Sequence, residues 1–513
     1  MAREIELKLA FPPEALAHIR RHPLIAATTR VGRAQTLENT YYDTPDLALG
    51  KALVALRTRR IGRRWLQTIK SANESAGGLS SRPEWEQAYD HKAGRFDFSV
   101  VDDVTTRNLL EKNASCIGPL FTTVFRRETR EFAPRTGVRI LLMIDTGHAR
   151  SGNGEAARET PISELELELV EGAPGDLLDY ALQLGAELPL MPEDVSKAQR
   201  GYELLHDKPP RAAHATPVVL DSAMTPRDAF RALAFSCLHT WQANALGALT
   251  HDDPEYIHQL RVTLRRLRTL LRIFEAHLPL GFTGNWQLQL GKLANDVGQA
   301  RDLDVMYESL LREPAAGTGA PDFDAIVQYL QTASQTARTQ ARSVLHSTEA
   351  RVLLLQFGKA LHTLPGETAD IELLGFSRDS LRKLHKHATT RLKRAQTSDT
   401  QEDLHRVRIA LKRLRYTLEF FASLFDEKAG KRYLRQVSRV LKELGALNDI
   451  AVGCAHLRHW AQAQENLREI STWVTGWHAA HASRRSRRAL EEIADLLDIP
   501  KPWKKSRNVT GAT

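Results

Sequence analysis

Glu4, Glu6 and Lys8 lie two residues apart in Glu4-Ile5-Glu6-Leu7-Lys8. In a strand, the period of two sends all three to one face and Ile5, Leu7 and Leu9 to the other. Three ionisable groups on one strand face are costly to bury unless they have partners. Two carboxylates beside an ammonium suit a ligand that is itself multiply charged, such as a metal ion clamped to phosphates. The competing reading is an edge strand with a solvated charged face. Recurrence of the pattern weighs against it. Arg57 and Arg59 share one face of Leu56-Arg57-Thr58-Arg59, Lys70 ends the run from Leu66, and Glu84 and Glu86 flank Trp85. Asp145 closes an apolar run from Leu142, and Glu164, Glu166 and Glu168 alternate with Leu165, Leu167 and Leu169. In Phe125-Arg126-Arg127-Glu128 only one of the adjacent arginines can face inward, and the spacing from Phe125 favours Arg127. Asp43, just before Pro45, reads as a turn residue. Trp65 and Trp85 read as packing groups.

Acidic and basic strands are segregated. If the sheet curls with these faces inward, its lumen is a charged tunnel and its leucines lie outside, under covering helices. The carboxylates would hold a divalent cation. Magnesium fits best, because it binds through a few carboxylates plus substrate phosphates, with manganese as the alternative. Lysines and arginines would take phosphate oxygens, arginine with bidentate geometry. That equipment suits phosphoryl transfer, where catalysis is mostly positioning and charge stabilisation.

A second constellation lies further on. His258, Arg261, Arg265, Arg266 and Arg268 recur as His405, Arg408, Lys412, Arg413 and Arg415, 147 residues later, and Gly298 and Asp302 recur as Gly445 and Asp449 at the same offset. A constant offset identifies an internal duplication. On a helix, His258, Arg261, Arg265, Arg268 and Arg272 fall within about 80° of arc, beside an apolar stripe of Leu260, Leu264, Leu267 and Leu271. His405, Arg408, Lys412 and Arg415 repeat the basic stripe, whereas Arg266 and Arg413 point elsewhere. Like charges at i, i+4 repel, so the stripes call for an anion. Asp302 and Asp449 suit orienting these cations or capping helices.

The elements behind these residues divide the chain. Its 513 residues exceed one ordinary core, so two or more domains are expected. Net charge is +9, unevenly spread: residues 1–210 hold 28 basic and 30 acidic residues, the rest 43 and 32. A basic back half suggests a polyanionic partner. The Pro- and Ala-rich stretch 207–222 reads as a linker between a strand-rich part, 1–206, and a helical part, 223–497, followed by a basic tail, 498–513. The fold class is α+β: an antiparallel β-tunnel with covering helices, then a duplicated all-α bundle. Cys116, Cys237 and Cys454 are far apart and odd in number, as in a reducing cytoplasm. A charged N-terminus and the lack of a long apolar run argue against a signal peptide or a membrane span.

Ordered motifs across 1–205 (MAREIELKL, YYDTPDLAL, RTR, TIK, RPEWE, ELELE and SKAQRGY) resemble CYTH domains, the triphosphate tunnel metalloenzyme fold. The resemblance implies phosphate binding by Lys8, Arg57, Arg59, Lys70, Arg127 and Lys197. It implies metal binding by Glu4, Glu6, Asp145, Glu166 and Glu168, with Glu4, Glu6, Lys8 and Lys70 as the catalytic set and Glu84 in the same tunnel. Three glutamates stand where the family motif needs two, leaving Glu164 and Glu168 as alternatives. The activity implied is Mg-dependent hydrolysis of inorganic triphosphate to diphosphate and phosphate, as in bacterial inorganic triphosphatases. Thiamine triphosphate hydrolysis or cyclisation of ATP are the alternatives, as is a protein that is mainly a polyphosphate-binding or granule-targeting module. The duplicated half, about 220–497, resembles the CHAD domain. That implies inorganic polyphosphate binding by His258, Arg261, Arg265, Arg268, His405, Arg408, Lys412 and Arg415. Nucleic acid is disfavoured, since the stripes carry no aromatics to stack bases. A cytoplasmic location, with association to polyphosphate granules, is the corresponding expectation.

Overall fold

The computed structural model describes residues 3–71, 74–152, 157–205, 211–304, 306–366, 371–398 and 400–504. The chain splits into two compact units, Met1–Arg211 with Ser347–Leu364, and Ala212–His346 with Pro365–Thr513.

Eleven strands are described in the first unit: β1 Arg3–Ala10, β2 Thr29–Arg30, β3 Gln35–Asp43, β4 Ala55–Ile61, β5 Arg64–Lys70, β6 Glu74–Ala76, β7 Leu79–Ala88, β8 Gly118–Arg135, β9 Val138–Ser151, β10 Arg158–Glu171 and β11 Met191–Pro192. Eight of them form an antiparallel ring, β1-β10-β9-β8-β3-β4-β5-β7, closed by the pairing of β7 with β1. The alternation of charge and leucine makes this wall two-sided. Leu7, Leu9, Leu165 and Leu167 are fully buried on the outside, against Leu177, Leu178, Ala181 and Leu184 of the helix Pro174–Gly185. The charged partners therefore face the lumen, with Glu6 opposite Glu168 and Lys8 opposite Glu166 in the β1–β10 register. Trp85 packs outside with Leu56 and Ile69. Pro83 sits where β7 passes from one neighbour to the other: Leu79–Pro83 pair with β1, Glu84–Ala88 with β5. A proline lacking a donor is tolerated at such a handover.

The helix Lys197–Glu203, capped by the Ser196 side chain, carries Lys197 into the ring. Tyr202 donates to Asp43 Oδ2 at 2.7 Å, while Asp43 Oδ1 accepts from the Thr44 and Leu49 amides, so Asp43 organises the turn. A Cβ at Gly201 would fall 2.0 Å from the Phe121 ring, so only glycine lets this helix approach.

In the second unit the duplication is visible in the elements. Pro226–Thr250 and Glu255–Ile273 correspond to Leu373–Ser398 and Gln401–Phe420. One continuous helix, Glu427–Ala463, stands where the first copy breaks into Phe282–Asp296, Gly298–Asp304, a π-turn at Tyr307–Leu311 and Arg312–Ala315. Asp324–His346 and Arg468–Asp498 complete the copies. Residues 211–222 carry no regular structure, and their ends are pinned, Ala213 to Asn244 and Leu220 to Ser423. Of the basic tail, Trp503 is buried against Tyr433 and His385, and residues 505–513 lie outside the described part.

Residues 347–364 fall inside the helical half by sequence but group with the first unit. Their helix, Thr348–His362, adds Leu355 to the core beneath Pro174–Gly185 and pairs Lys359 with Asp179. Among the described residues no helix is long and apolar enough to cross a membrane.

Candidate functional site

The lumen gathers charged side chains from seven of the eight ring strands and one helix. Lys70 Nζ lies 2.7 Å from Glu4 Oε2 and 2.9 Å from Glu84 Oε2. Arg57 Nη2 lies 3.6 Å from Glu84. Arg127 donates from Nε and Nη2 to the two oxygens of Asp145, at 2.8 and 2.6 Å, and from Nη2 to Glu166. Lys197 Nζ stands 2.7 Å from Asp145 and 2.9 Å from Glu166, in contact with Glu164 and over the Phe125 ring. Arg200 bridges Glu164 and Glu193 at 3.3 Å each. Arg127 thus faces inward and Arg126 is exposed, which resolves the choice left by the sequence.

The pairing is incomplete in an informative way. Among the described residues Glu168, Lys8 and Arg59 make no ion pair; Arg59 Nε donates instead to Asn39 Oδ1 at 2.8 Å. Burial, Glu4 and Glu6 together push the Glu168 carboxyl up to about 7. Burial, Arg57 and Arg127 depress the Arg59 guanidinium to about 9. Burial would also raise Glu166, but Lys197 and Arg127 outweigh it and hold that carboxyl well below its ordinary range. Among the described residues the lumen therefore keeps one carboxylate short of a cation, and one guanidinium and one ammonium short of an anion.

Both alternatives on β10 face the lumen. Glu164 is fully buried and already claimed by Lys197 and Arg200, whereas Glu168 faces Glu6 and Glu4. Carboxylate oxygens of Asp145, Glu164 and Glu166 lie within 4.8 Å of one another, and every donor in both groups is a hard oxygen of the kind Mg²⁺ or Mn²⁺ takes. Strand spacing overlooked three lumen groups. Arg82, two residues before Glu84, contacts Glu6 and Glu4, and the same alternation could have found it. Arg200 is three residues beyond Lys197 on one helix face. Glu193 precedes that helix and carries no periodic signal.

In the second unit the two basic stripes meet around a cavity of about 440 Å³. Arg261, Arg265, Arg268, His405, Arg408 and Lys412 line it, joined by Arg272, Arg413 and Tyr416. Arg413, which an ideal helix turns away, reaches the cavity. Arg415 pairs with Glu419 at 2.7 Å and is not among the lining residues, nor is His258. The duplication extends to side chains, since Arg261 meets Asp302 at 2.9 Å and Arg408 meets Asp449 at 3.9 Å. Asn448 Nδ2 donates to Asp449, so its oxygen faces His405 Nδ1 at 2.7 Å. Burial, Arg265 and Arg408 bring the Lys412 ammonium down to about 7.

Residues 2–202 match the CYTH domain family and residues 232–458 the CHAD domain family. An inorganic triphosphatase of Haemophilus influenzae is 32% identical over 212 residues, 40% of this chain and 55% of that protein. An uncharacterized protein of Mycobacterium tuberculosis is 28% identical over 276 residues, 51% of each chain. The chain thus spans about half the length of these two relatives. The solved CHAD domain of the plant Ricinus communis superposes with a TM-score of 0.50 at 30% identity, over 58% of this chain and 99% of that one. A closed, charge-lined ring followed by a duplicated helical unit agrees with both matches, and the chain belongs to the CYTH and CHAD families, one domain of each in that order.

Proposed function

We propose that the ring hydrolyses inorganic triphosphate to diphosphate and phosphate with a divalent cation, Mg²⁺ foremost, and that the helical unit binds inorganic polyphosphate. The observation that carries the first reading is the interleaving of eight cations with facing carboxylates inside a closed ring, left unbalanced at Lys8, Arg59 and Glu168. A ligand bringing both signs, phosphate oxygens and a metal, relieves these imbalances at once.

In this reading Lys8, Arg57, Arg59, Lys70, Arg127 and Lys197 hold the phosphate oxygens. Glu4, Glu6 and Glu168, with Asp145 and Glu166, would hold the cation. When bound, the cation supplies charge neutralisation on the phosphates and polarises water. Water attacks the terminal phosphorus, the bridging P–O bond breaks, and diphosphate leaves with the bonding electrons. The proton that the attacking water loses passes to a lumen carboxylate that does not ligate the cation. Aromatic Tyr41, Phe121 and Tyr202 pack together beside Arg57, which favours a substrate without an organic group at that end. The relative's activity on inorganic triphosphate supports the same choice.

The test is phosphate release by the full chain from inorganic triphosphate, thiamine triphosphate and ATP with Mg²⁺, beside the Glu4→Ala/Glu6→Ala variant. Triphosphate should be turned over fastest, and the double variant should lose at least ~10²-fold in rate. Equal release by wild type and variant, or preference for either organic substrate, refutes the reading. For the second unit, the expectation is salt-sensitive binding of long-chain polyphosphate, weakened when Arg265 and Arg408 are changed to Glu.

A further inference from the structure

Arg82 differs from the other lumen cations in what it touches. It lies opposite Glu4 in the β1–β7 register, on the strand that closes the ring. Its Nη2 donates to Glu6 Oε1 at 2.6 Å, its Nε lies 3.5 Å from Glu4 Oε2, and its side chain is 11% exposed. The Ser80 hydroxyl also donates to Glu6 Oε1, at 3.3 Å. Arg82 Nε is buried without a hydrogen-bond partner, so the guanidinium does not saturate its donors here. Across from Glu6 stands Glu168, which has no ion pair among the described residues. Lys70 neutralises Glu4 from the other side at 2.7 Å, so Arg82 is the cation that the Glu6 carboxylate, in the middle of the Glu4, Glu6 and Glu168 group, pairs with. Those are the oxygens a divalent cation needs.

A guanidinium in that position has two physical readings, and they differ in sign. A pin would hold the carboxylates in place for the metal, and removing it would weaken metal binding. A counter-ion competes with the metal: the incoming cation must displace one positive charge from the oxygens it binds, and removing that charge strengthens metal binding. The orphaned Nε and the long 3.5 Å contact to Glu4 favour the second, because a pin would use its planar fork bidentately.

We propose that Arg82 is an internal counter-ion of the Glu4–Glu6 pair, a positioning residue that stands in for the divalent cation in the metal-free ring and is released to a phosphate oxygen when metal and triphosphate enter together. The first half concerns metal binding alone; the second rests on the triphosphatase reading. Exchange of partners makes the two ligands mutually dependent. Metal alone must break the Arg82 pair without compensation, whereas the metal–triphosphate complex gives the freed guanidinium an anion.

Titration of the full chain with Mn²⁺ alone, without phosphate, decides the first half. Arg82→Gln should bind Mn²⁺ about tenfold more tightly than wild type, and Arg82→Lys, which keeps the charge but not the fork, should stay within about twofold. Weaker Mn²⁺ binding by Arg82→Gln overturns the proposal in favour of a pin. If that variant fails to fold, Arg82→Lys decides alone, since a pin needs the fork and a counter-ion needs only the charge. For the second half, Arg82→Gln should raise the KM for triphosphate at saturating Mg²⁺; an unchanged KM overturns it. A chain that shows the Mn²⁺ pattern but hydrolyses no triphosphate refutes the functional reading and leaves the counter-ion in place.

Discussion

Lys197 holds together carboxylates from two strands: Asp145 on β9 and Glu164 and Glu166 on β10. All three acids are nearly inaccessible, so removing the ammonium leaves like charges facing one another in a poorly solvated place. Breaking a buried pair by deleting one partner typically costs about 3–5 kcal/mol. Lys197→Met should therefore lose about that much in denaturant unfolding at pH 7 without metal. Adding Mn²⁺ should recover part of the loss, because the same oxygens then gain a cation. A variant as stable as wild type would mean that Arg127 and Arg200 suffice. The three acids were legible in the sequence because a period of two exposes them on their strands, whereas Lys197, on a helix, was implied only by the resemblance. The difference between Glu164 and Glu168 was not legible. They share one face of the same strand and differ in what reaches them, Lys197 and Arg200 from a helix more than 28 residues on, or Glu4 and Glu6 from β1.

At the scale of elements, the paired helices Glu255–Ile273 and Gln401–Phe420 bring two like-charged stripes to one cavity. The cost of that approach shows in Lys412, whose ammonium burial and the neighbouring Arg265 and Arg408 destabilise to about 7, with Asp449 acting the other way. A polyanion reverses this, so Lys412 must take up a proton on binding above pH 7. Affinity for long-chain polyphosphate should fall as pH rises from 7 toward 9, by at most about tenfold per unit for one proton. Calorimetry at pH 8 in two buffers of different ionisation enthalpy measures the uptake. Lys412→Arg, which stays charged, should abolish it; the same pH slope in that variant would exclude Lys412 as the source. The stripes and their duplication were readable because helix period and offset are both sequence properties. The break after Asp296 in the first copy, against the unbroken Glu427–Ala463 in the second, was not. Equivalent glycines, Gly298 and Gly445, stand at the two places, and Arg261 donates to the Gly298 carbonyl where the first copy breaks. β7 was half legible: Glu84 and Glu86 declared the strand, while Pro83 concealed that it continues toward β1.

For the whole molecule, the assignment of Thr348–His362 to the first unit changes what the N-terminal domain contains. Pro365-Gly366 interrupts the helical pattern just after this segment, but nothing in a string of leucines says which core they join. The structure answers through Leu355, 1% exposed in the cluster that also holds Leu177, Leu178 and Leu184, with Gly185 leaving room for its methyl at 3.1 Å from a would-be Cβ. Those helix residues back directly onto Leu165 and Leu167, whose neighbours on β10 are the lumen glutamates. A helix encoded between the two repeats thus buttresses the carboxylate wall from behind. Leu355→Ala removes buried methyls from this layer and should cost about 2–5 kcal/mol. If the helix belongs energetically to the ring, calorimetry of the full chain should show the loss in the transition that Mn²⁺ with triphosphate raises, leaving the other in place. A drop confined to the transition that polyphosphate raises would return the helix to the repeats, and with it the support of β10.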